Sequence, residues 1–371
     1  MRRSCWLSQG GGMSRTVMLH TGASMPTIGL GTWQAQDEVE LERALEAALD
    51  AGYRFIDTAY LYGNEAIVGR AVRRWLDEGK GTREELFIST KLPMMGMRPA
   101  DVPEFLGASL TNLKLDYVDL YLIHVPFGML RDGMERIEEI VAGEVGSGAL
   151  DMDTDHVAIW KAIANVLADE WKLQLSLLTQ ALEAEVEAGR TRHIGVSNFN
   201  ERQLARVLDN CTIPPANQQI ELHLYLQQPA LVAFCLEHGV TVTAYSPLGS
   251  PGSTWLNTAG GLQLPDLLGL PEVREIADKY SKKPAQVLLR HIIQKGLLAV
   301  PKSTNPDRLR QNIDVYDFEL SEEEMRRLDA LDRGEDGRII DMLLIEGVRD
   351  HPEYPWVRPV EKNSEEEDGE T

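Results

Sequence analysis

Short apolar runs alternate with helical stripes along most of this chain. Runs that read as buried strands fall at residues 28–32, 54–57, 86–91, 117–124, 193–196, 216–221, 240–246 and 298–301. Between them the spacing of apolar positions becomes that of a helix. Leu41, Ala44, Leu45, Ala48 and Leu49 follow an i, i+3, i+4, i+7, i+8 pattern that stops at Gly52. Ile67, Val68, Ala71, Val72, Trp75 and Leu76 repeat it and stop at Gly79. The strand runs are apolar on both faces, as a parallel sheet covered by helices requires. Eight strand–helix units in order predict an α/β fold, a closed (β/α)8 TIM barrel, with chemistry at the carboxyl ends of its strands. An open doubly wound sheet is the competing arrangement. Ahead of the first unit, residues 17–20 and 25–28 flank Thr21-Gly22-Ala23-Ser24 and predict a β-hairpin capping one end of the barrel.

Two stretches break the pattern. The connection after His124 is long and Gly-rich, from Pro126 to about Asp155, the kind of loop that shapes a pocket. Residues 155–188 would then form one helix of roughly 50 Å, too long for a barrel. Its middle, about 163–181, carries Trp171 and the alternating Leu173, Leu175 and Leu177. It reads as an insertion: an exposed excursion, a mis-spliced segment, or a partner interface. The expected organisation is an extension over 1–15, a barrel over 16–356 and an acidic disordered tail over 357–371, with Met13 an alternative start to Met1.

Composition narrows the function classes. A formal charge of −21 over 371 residues argues against nucleic acid and anionic membranes as partners. Cys5, Cys211 and Cys235 have no paired spacing, so neither a disulfide frame nor a metal site is expected. No apolar run reaches membrane-spanning length, and residues 1–12 lack a signal-peptide core. A cytosolic enzyme is the resulting expectation.

The candidate chemistry lies at the strand ends. Asp57, Tyr62, Lys91 and His124 each sit at or just past the end of a strand run, and three strands supply them. Any one alone reads as an ordinary polar residue; together they make a proton-transfer site. An unperturbed phenol has a pKa of about 10. A neighbouring ammonium is expected to lower it, and a carboxylate to keep that ammonium charged and aimed.

Seven ordered motifs resemble the aldo-keto reductases. They are Gly29-Leu30-Gly31-Thr32-Trp33, Asp57-Thr58-Ala59-Tyr60-Leu61-Tyr62-Gly63-Asn64-Glu65, Ser89-Thr90-Lys91-Leu92 and Leu122-Ile123-His124. Further along come Ile194-Gly195-Val196-Ser197-Asn198-Phe199-Asn200, Ala244-Tyr245-Ser246-Pro247-Leu248-Gly249-Ser250 and Val300-Pro301-Lys302-Ser303. His351-Pro352-Glu353-Tyr354-Pro355 is most similar to the aldehyde and aldose reductase branch, with a C-terminal loop over the barrel mouth. The resemblance implies NADPH-dependent reduction of aldehydes and some ketones. Tyr62 would be the general acid, Lys91 paired with Asp57 would tune it, and His124 would orient the substrate carbonyl. A barrel that binds NADPH as a sensor or associated subunit is the alternative; a phosphate-handling isomerase is a third.

No Gly-x-Gly-x-x-Gly joins a strand to a helix, so a Rossmann site is not expected. The resemblance instead places nicotinamide across the barrel mouth, on Thr32, Trp33 and Asp57. Tyr245 would stack on its ring, unless it is an ordinary core aromatic, while Ser197, Asn198 and Gln219 hold the carboxamide. The usual Asn-Gln pair stands here as Gln218-Gln219. Ser246, Leu248 and Ser250 lie in a turn able to line a pyrophosphate. Lys302, Ser303, Thr304, Arg308, Gln311 and Asn312 open a helix, where two cations suit a 2′-phosphate. Trp33, Trp255 and the segment 339–356 would wall the substrate pocket with Tyr62 and His124. Val125, where many relatives have tryptophan, would widen it; Pro93 likewise replaces a frequent aromatic. The expected partner is a small carbonyl compound, and the expected state a monomer.

Overall fold

The computed structural model describes residues 14–130, 150–161, 189–251 and 266–356. The chain opens with strands β1 (Thr16–Met18) and β2 (Ser24–Pro26), followed by β3 (Leu30–Gly31), helix α1 (Glu38–Asp50) and β4 (Phe55–Asp57). Then come α2 (Glu65–Asp77), β5 (Phe87–Leu92), α3 (Val102–Leu113), β6 (Val118–Ile123), β7 (Gly128–Met129), β8 (Leu150–Asp151) and α4 (His156–Lys161). The next third holds β9 (Thr191–Ser197), α5 (Glu201–Leu208), β10 (Asn217–Glu221), α6 (Pro229–Glu237) and β11 (Thr241–Tyr245). It ends with α7 (Pro271–Tyr280), α8 (Pro284–Gln294), β12 (Leu298–Ala299), α9 (Pro306–Ile313) and α10 (Glu322–Asp329).

Eight parallel strands follow one another around the sheet in the order β3, β4, β5, β6, β9, β10, β11, β12. The last returns to the first. Gly29 N–H donates to Ala299 O at 2.9 Å, Gly31 N–H to Pro301 O at 3.1 Å, and Ala299 N–H to Thr27 O at 2.8 Å. These bonds close the barrel, as the eight apolar runs predict. The first and last strands are two residues each, shorter than the expected 28–32 and 298–301. Pro301 has no N–H to extend the seam.

The seam also explains a glycine. A Cβ on Gly31 would lie 2.7 Å from the carbonyl oxygen of Val300, which is backbone and cannot swing away. Gly31→Ala is therefore expected to cost about 1–3 kcal/mol, as overpacking does, read as a lower denaturation midpoint.

Alternation along the strands decides which side chains enter the barrel. On β5, Ser89 and Lys91 point inward to Asp57, while Ile88 and Leu92 join the layer under the helices. The buried residues of α1 are Leu41, Ala44, Leu45, Ala48 and Leu49, the same five that the spacing marks. The β1–β2 hairpin plugs the other end. Val17, Leu19 and Met25 pack with Phe55, Phe87, Leu120, Leu122 and Val300. The carboxyl-end mouth lies at the opposite end from this plug.

The C-terminal segment crosses that mouth. Glu221, fully buried at the end of β10, accepts the backbone N–H of Ile339 at 2.7 Å and of Ile340 at 2.9 Å. Farther on, Glu353 accepts from Gln203 and Arg206, and His351 Nε2 donates to Asp151 O at 2.9 Å. Of the long connection after His124, its two ends pair as β7 and β8. The excursion at 163–181, Trp255, most of the extension at 1–15 and the tail at 357–371 lie outside the described residues. Among the described residues no helix is long and apolar enough to cross a membrane.

Candidate active site

β4 delivers Asp57 to the mouth, and the chain then tightens into a turn at Tyr60–Tyr62 that ends on Gly63 with φ 66°. That left-handed residue reverses the path at no steric cost. Asn64 locks the turn in place. Its amide donates to Thr32 O at 2.9 Å and Ala35 O at 3.2 Å, and accepts from Thr58 Oγ1 at 3.0 Å. Tyr62 is thereby held over the strand ends.

The carboxylate of Asp57 accepts three hydrogen bonds. They come from Lys91 Nζ at 2.7 Å, Ser89 Oγ at 2.6 Å and Gln219 Nε2 at 2.8 Å. Lys91 also donates to Thr58 O at 2.9 Å and to the hydroxyl oxygen of Tyr62 at 3.5 Å. Its side chain is fully buried. The His124 ring stands edge-on to that of Tyr62, with centroids 5.6 Å apart, and its buried Nδ1 has no hydrogen-bond partner among the described residues. Asn198 Nδ2 donates to His124 O at 2.9 Å and ties β6 to β9.

One electrostatic expectation is reversed. Burial, followed by the charge of Asp57, pushes Tyr62 well above the ordinary phenol value. An ammonium 3.5 Å away, already neutralised by a carboxylate at 2.7 Å, does not offset the lost hydration. Burial likewise pulls Lys91 down, opposed by Asp57 and then Glu65. His124 is held well below its usual value by burial and then by Lys91, so its imidazole is neutral. At neutral pH, therefore, the proton rests on Tyr62.

A cavity of about 720 Å³ opens beside these groups. Thr32, Trp33, Asp57, Tyr62, His124 and Val125 line it at the ends of β3, β4 and β6. Ser197, Asn198, Gln219, Tyr245, Ser246, Leu248 and Ser250 continue it past β9, β10 and β11. Lys302, Ser303, Thr304, Arg308, Gln311 and Asn312 complete it between β12 and α9. Every described residue of the expected site is thus brought together. Trp33, Tyr245 and Met342 pack on Ile339 and Ile340 of the closing segment.

Details differ from expectation in two places. Gln219 is aimed into the barrel but spends its amide on Asp57, while Gln218 turns outward and donates to Phe199 O at 2.6 Å. The first amides of α9 are already capped, since Asn305 Oδ1 accepts from Asp307 N at 2.9 Å and Arg308 N at 3.1 Å. The exposed cations Lys302 and Arg308, with no ion pair among the described residues, are left to meet an anion. Ile340 and Met342, of the segment expected to wall the pocket, line it too; Leu61, Met94, Asp266 and Lys283 are lining residues that escaped the sequence reading. Met94 follows the end of β5, a position that could have been found; Lys283 precedes a helix and carries no such signal.

The donor set fits a dinucleotide diphosphate. Ser246 and Ser250 both take left-handed backbone, φ 49° and 48°, with Gly249 N–H donating to Ser246 O at 2.9 Å. Both serines line the cavity that Lys302 and Arg308 also line. The model of the Aldo/keto reductase family matches residues 27–333. The chain belongs to the aldo/keto reductase family. Its relatives include aldo-keto reductase family 1 member A1 of Sus scrofa, 40% identical over 349 residues, or 92% of this chain and 98% of that one. Member A1-A of Danio rerio is 38% identical over 94% of this chain and 100% of its own. Among solved structures, the aldose reductase from Schistosoma japonicum superposes with a TM-score of 0.77 at 36% identity, covering 92% of this chain and 99% of that one. A Bombyx mori aldo-keto reductase solved in complex with NADP gives 0.76 at 34% identity, covering 92% and 98%. Members of the family are NADP-dependent oxidoreductases that reduce aldehydes, so this aldo/keto reductase is an enzyme of that class with NADPH as its cofactor. The barrel expected from the strand count is the family's fold.

Proposed function

We propose that this aldo/keto reductase reduces aldehydes, and some ketones, to alcohols, with Tyr62 as the general acid. A protonated phenol within 3.5 Å of a buried ammonium, at the mouth of a cavity large enough for cofactor and substrate, carries the reading. NADPH, when bound, supplies the hydride. Tyr62 gives its proton to the carbonyl oxygen as negative charge builds there, a transfer favoured because an alkoxide is far more basic than a phenolate. Lys91, kept charged by Asp57, stabilises the phenolate left behind. His124, neutral, donates to the same carbonyl oxygen and fixes its direction. Trp33, Leu61, Met94, Val125 and Ile340 supply apolar walls for the remainder of the substrate.

In the same reading Ser197, Asn198, Gln219 and Tyr245 hold the nicotinamide, and Lys302 with Arg308 hold the 2′-phosphate. The barrel over 16–356 works as a monomer in the cytosol. Arg308→Ala is expected to weaken NADPH by about tenfold, the worth of a charge-assisted hydrogen bond at roughly 1.5 kcal/mol, and to leave NADH almost unchanged. Titrating both cofactors against protein fluorescence measures this; equal losses would remove Arg308 from the phosphate site. Following NADPH absorbance with a panel of aliphatic, aromatic and sugar aldehydes tests the reaction itself. No turnover with any of them would leave a binding protein in its place.

A further inference from the structure

We propose that Glu65 is a second buried anion that acts through strand β5 to keep Lys91 charged and in position. The inference rests on the reading that Lys91 serves Tyr62. β5 presents Ser89 and Lys91 to the barrel interior, where both bond to Asp57. Thr90, between them, points to the opposite face, where its Oγ1 donates to Glu65 Oε1 at 2.6 Å. Asn112 of α3 donates to Glu65 Oε2 at 3.2 Å. Both carboxyl oxygens are hydrogen-bonded. The strand is thus gripped by one carboxylate on each face, with Lys91 next to both grips.

Glu65 is 2% exposed, and among the described residues no cation forms an ion pair with it. A buried carboxylate in that state is expensive, and a structural role alone would be served as well by an apolar residue. Burial raises the Glu65 carboxyl above its ordinary range, opposed by the hydrogen bonds from Thr90 and Asn112 and then by the charge of Lys91. Glu65 is also the first residue of α2, where the helix end favours negative charge. The groups around that ammonium are Asp57 from β4, Glu65 from α2, Tyr62 from the turn and the neutral His124 from β6. Burial works against the ammonium, and the two carboxylates are what oppose it. Glu65 touches no reacting atom; it is a positioning residue.

The test is the pH profile of kcat/KM for aldehyde reduction in Glu65→Gln, which keeps the shape and removes the charge. Loss of a nearby anion disfavours both the ammonium and the neutral phenol. The basic limb should therefore move to lower pH by about one unit. NADPH affinity and melting temperature should stay near those of the wild type. Glu65→Asp, which keeps the charge, should leave the limb in place. An unmoved limb in Glu65→Gln, or equal movement in Glu65→Asp, overturns the proposal. Should Glu65→Gln not fold, Thr90→Val removes one of the two donors and must shift the limb the same way, by less. Lys91→Met separates the layers: retained turnover there would sink the Tyr62–Lys91 reading itself. Lost turnover with no shift in Glu65→Gln would sink only the role of Glu65.

Discussion

Tyr62→Phe is expected to fold, to bind NADPH as the wild type does, and to lose about 10²–10⁴ of its turnover. Among the described residues the hydroxyl has a single neighbour at hydrogen-bond reach, Lys91 at 3.5 Å, so its removal leaves no strong bond broken there. Lys91 keeps Asp57 and Thr58 as acceptors. The ring remains to pack edge-on to His124. What disappears is the proton that the carbonyl oxygen needs. Stopped-flow NADPH oxidation with a saturating aldehyde reads the chemical step directly. A variant that retains wild-type turnover would take Tyr62 out of the reaction, whatever the cofactor affinity.

Asp57→Ala should be the most destabilising single change in the site, by about 3–5 kcal/mol, because it strands a buried ammonium. Lys91 has no exposed surface through which to regain water, and among the described residues Thr58 O would be its one remaining close acceptor. Lys91→Met should cost less, since Asp57 would still accept from Ser89 and Gln219. The pH dependence has a definite sign. In Asp57→Ala the folded-state pKa of Lys91 falls further below its unfolded value. The unfolded chain then binds more protons between those two values, and stability rises with pH across that window. Urea denaturation midpoints of the two variants, taken at neutral and alkaline pH, check both the order and the slope. If Lys91→Met were the less stable of the pair at neutral pH, the ammonium would not be the charge that Asp57 exists to satisfy.

Much of this molecule was written in its local pattern. Eight apolar runs became eight parallel strands, and the five marked positions of α1 became its five buried residues. Periodicity reports burial, and burial is shared by every residue on one face, so the signal accumulates over each element. The chemical residues were legible for a related reason. In a parallel barrel they collect at strand ends, which sequence position marks within a residue or two. Asp57, Tyr62, Lys91 and His124 could therefore be named as a group before any distance was known.

Tertiary structure alone decided how those groups behave. The family resemblance implies a phenol acidified by its ammonium; burial outweighs that charge and raises the phenol's pKa instead. Gln219 was expected to face the cofactor amide, yet it is also a third donor to Asp57 across the barrel. Nothing near Glu221 in the chain foretells that it would hold Ile339 and Ile340, more than a hundred residues away, over the mouth. Desolvation and long-range hydrogen bonds depend on which surfaces meet, a property of the closed barrel that no stretch of the chain carries by itself. The order of strands, helices and reactive side chains belonged to the sequence; the proton's resting place and the cover over the site belonged to the packing.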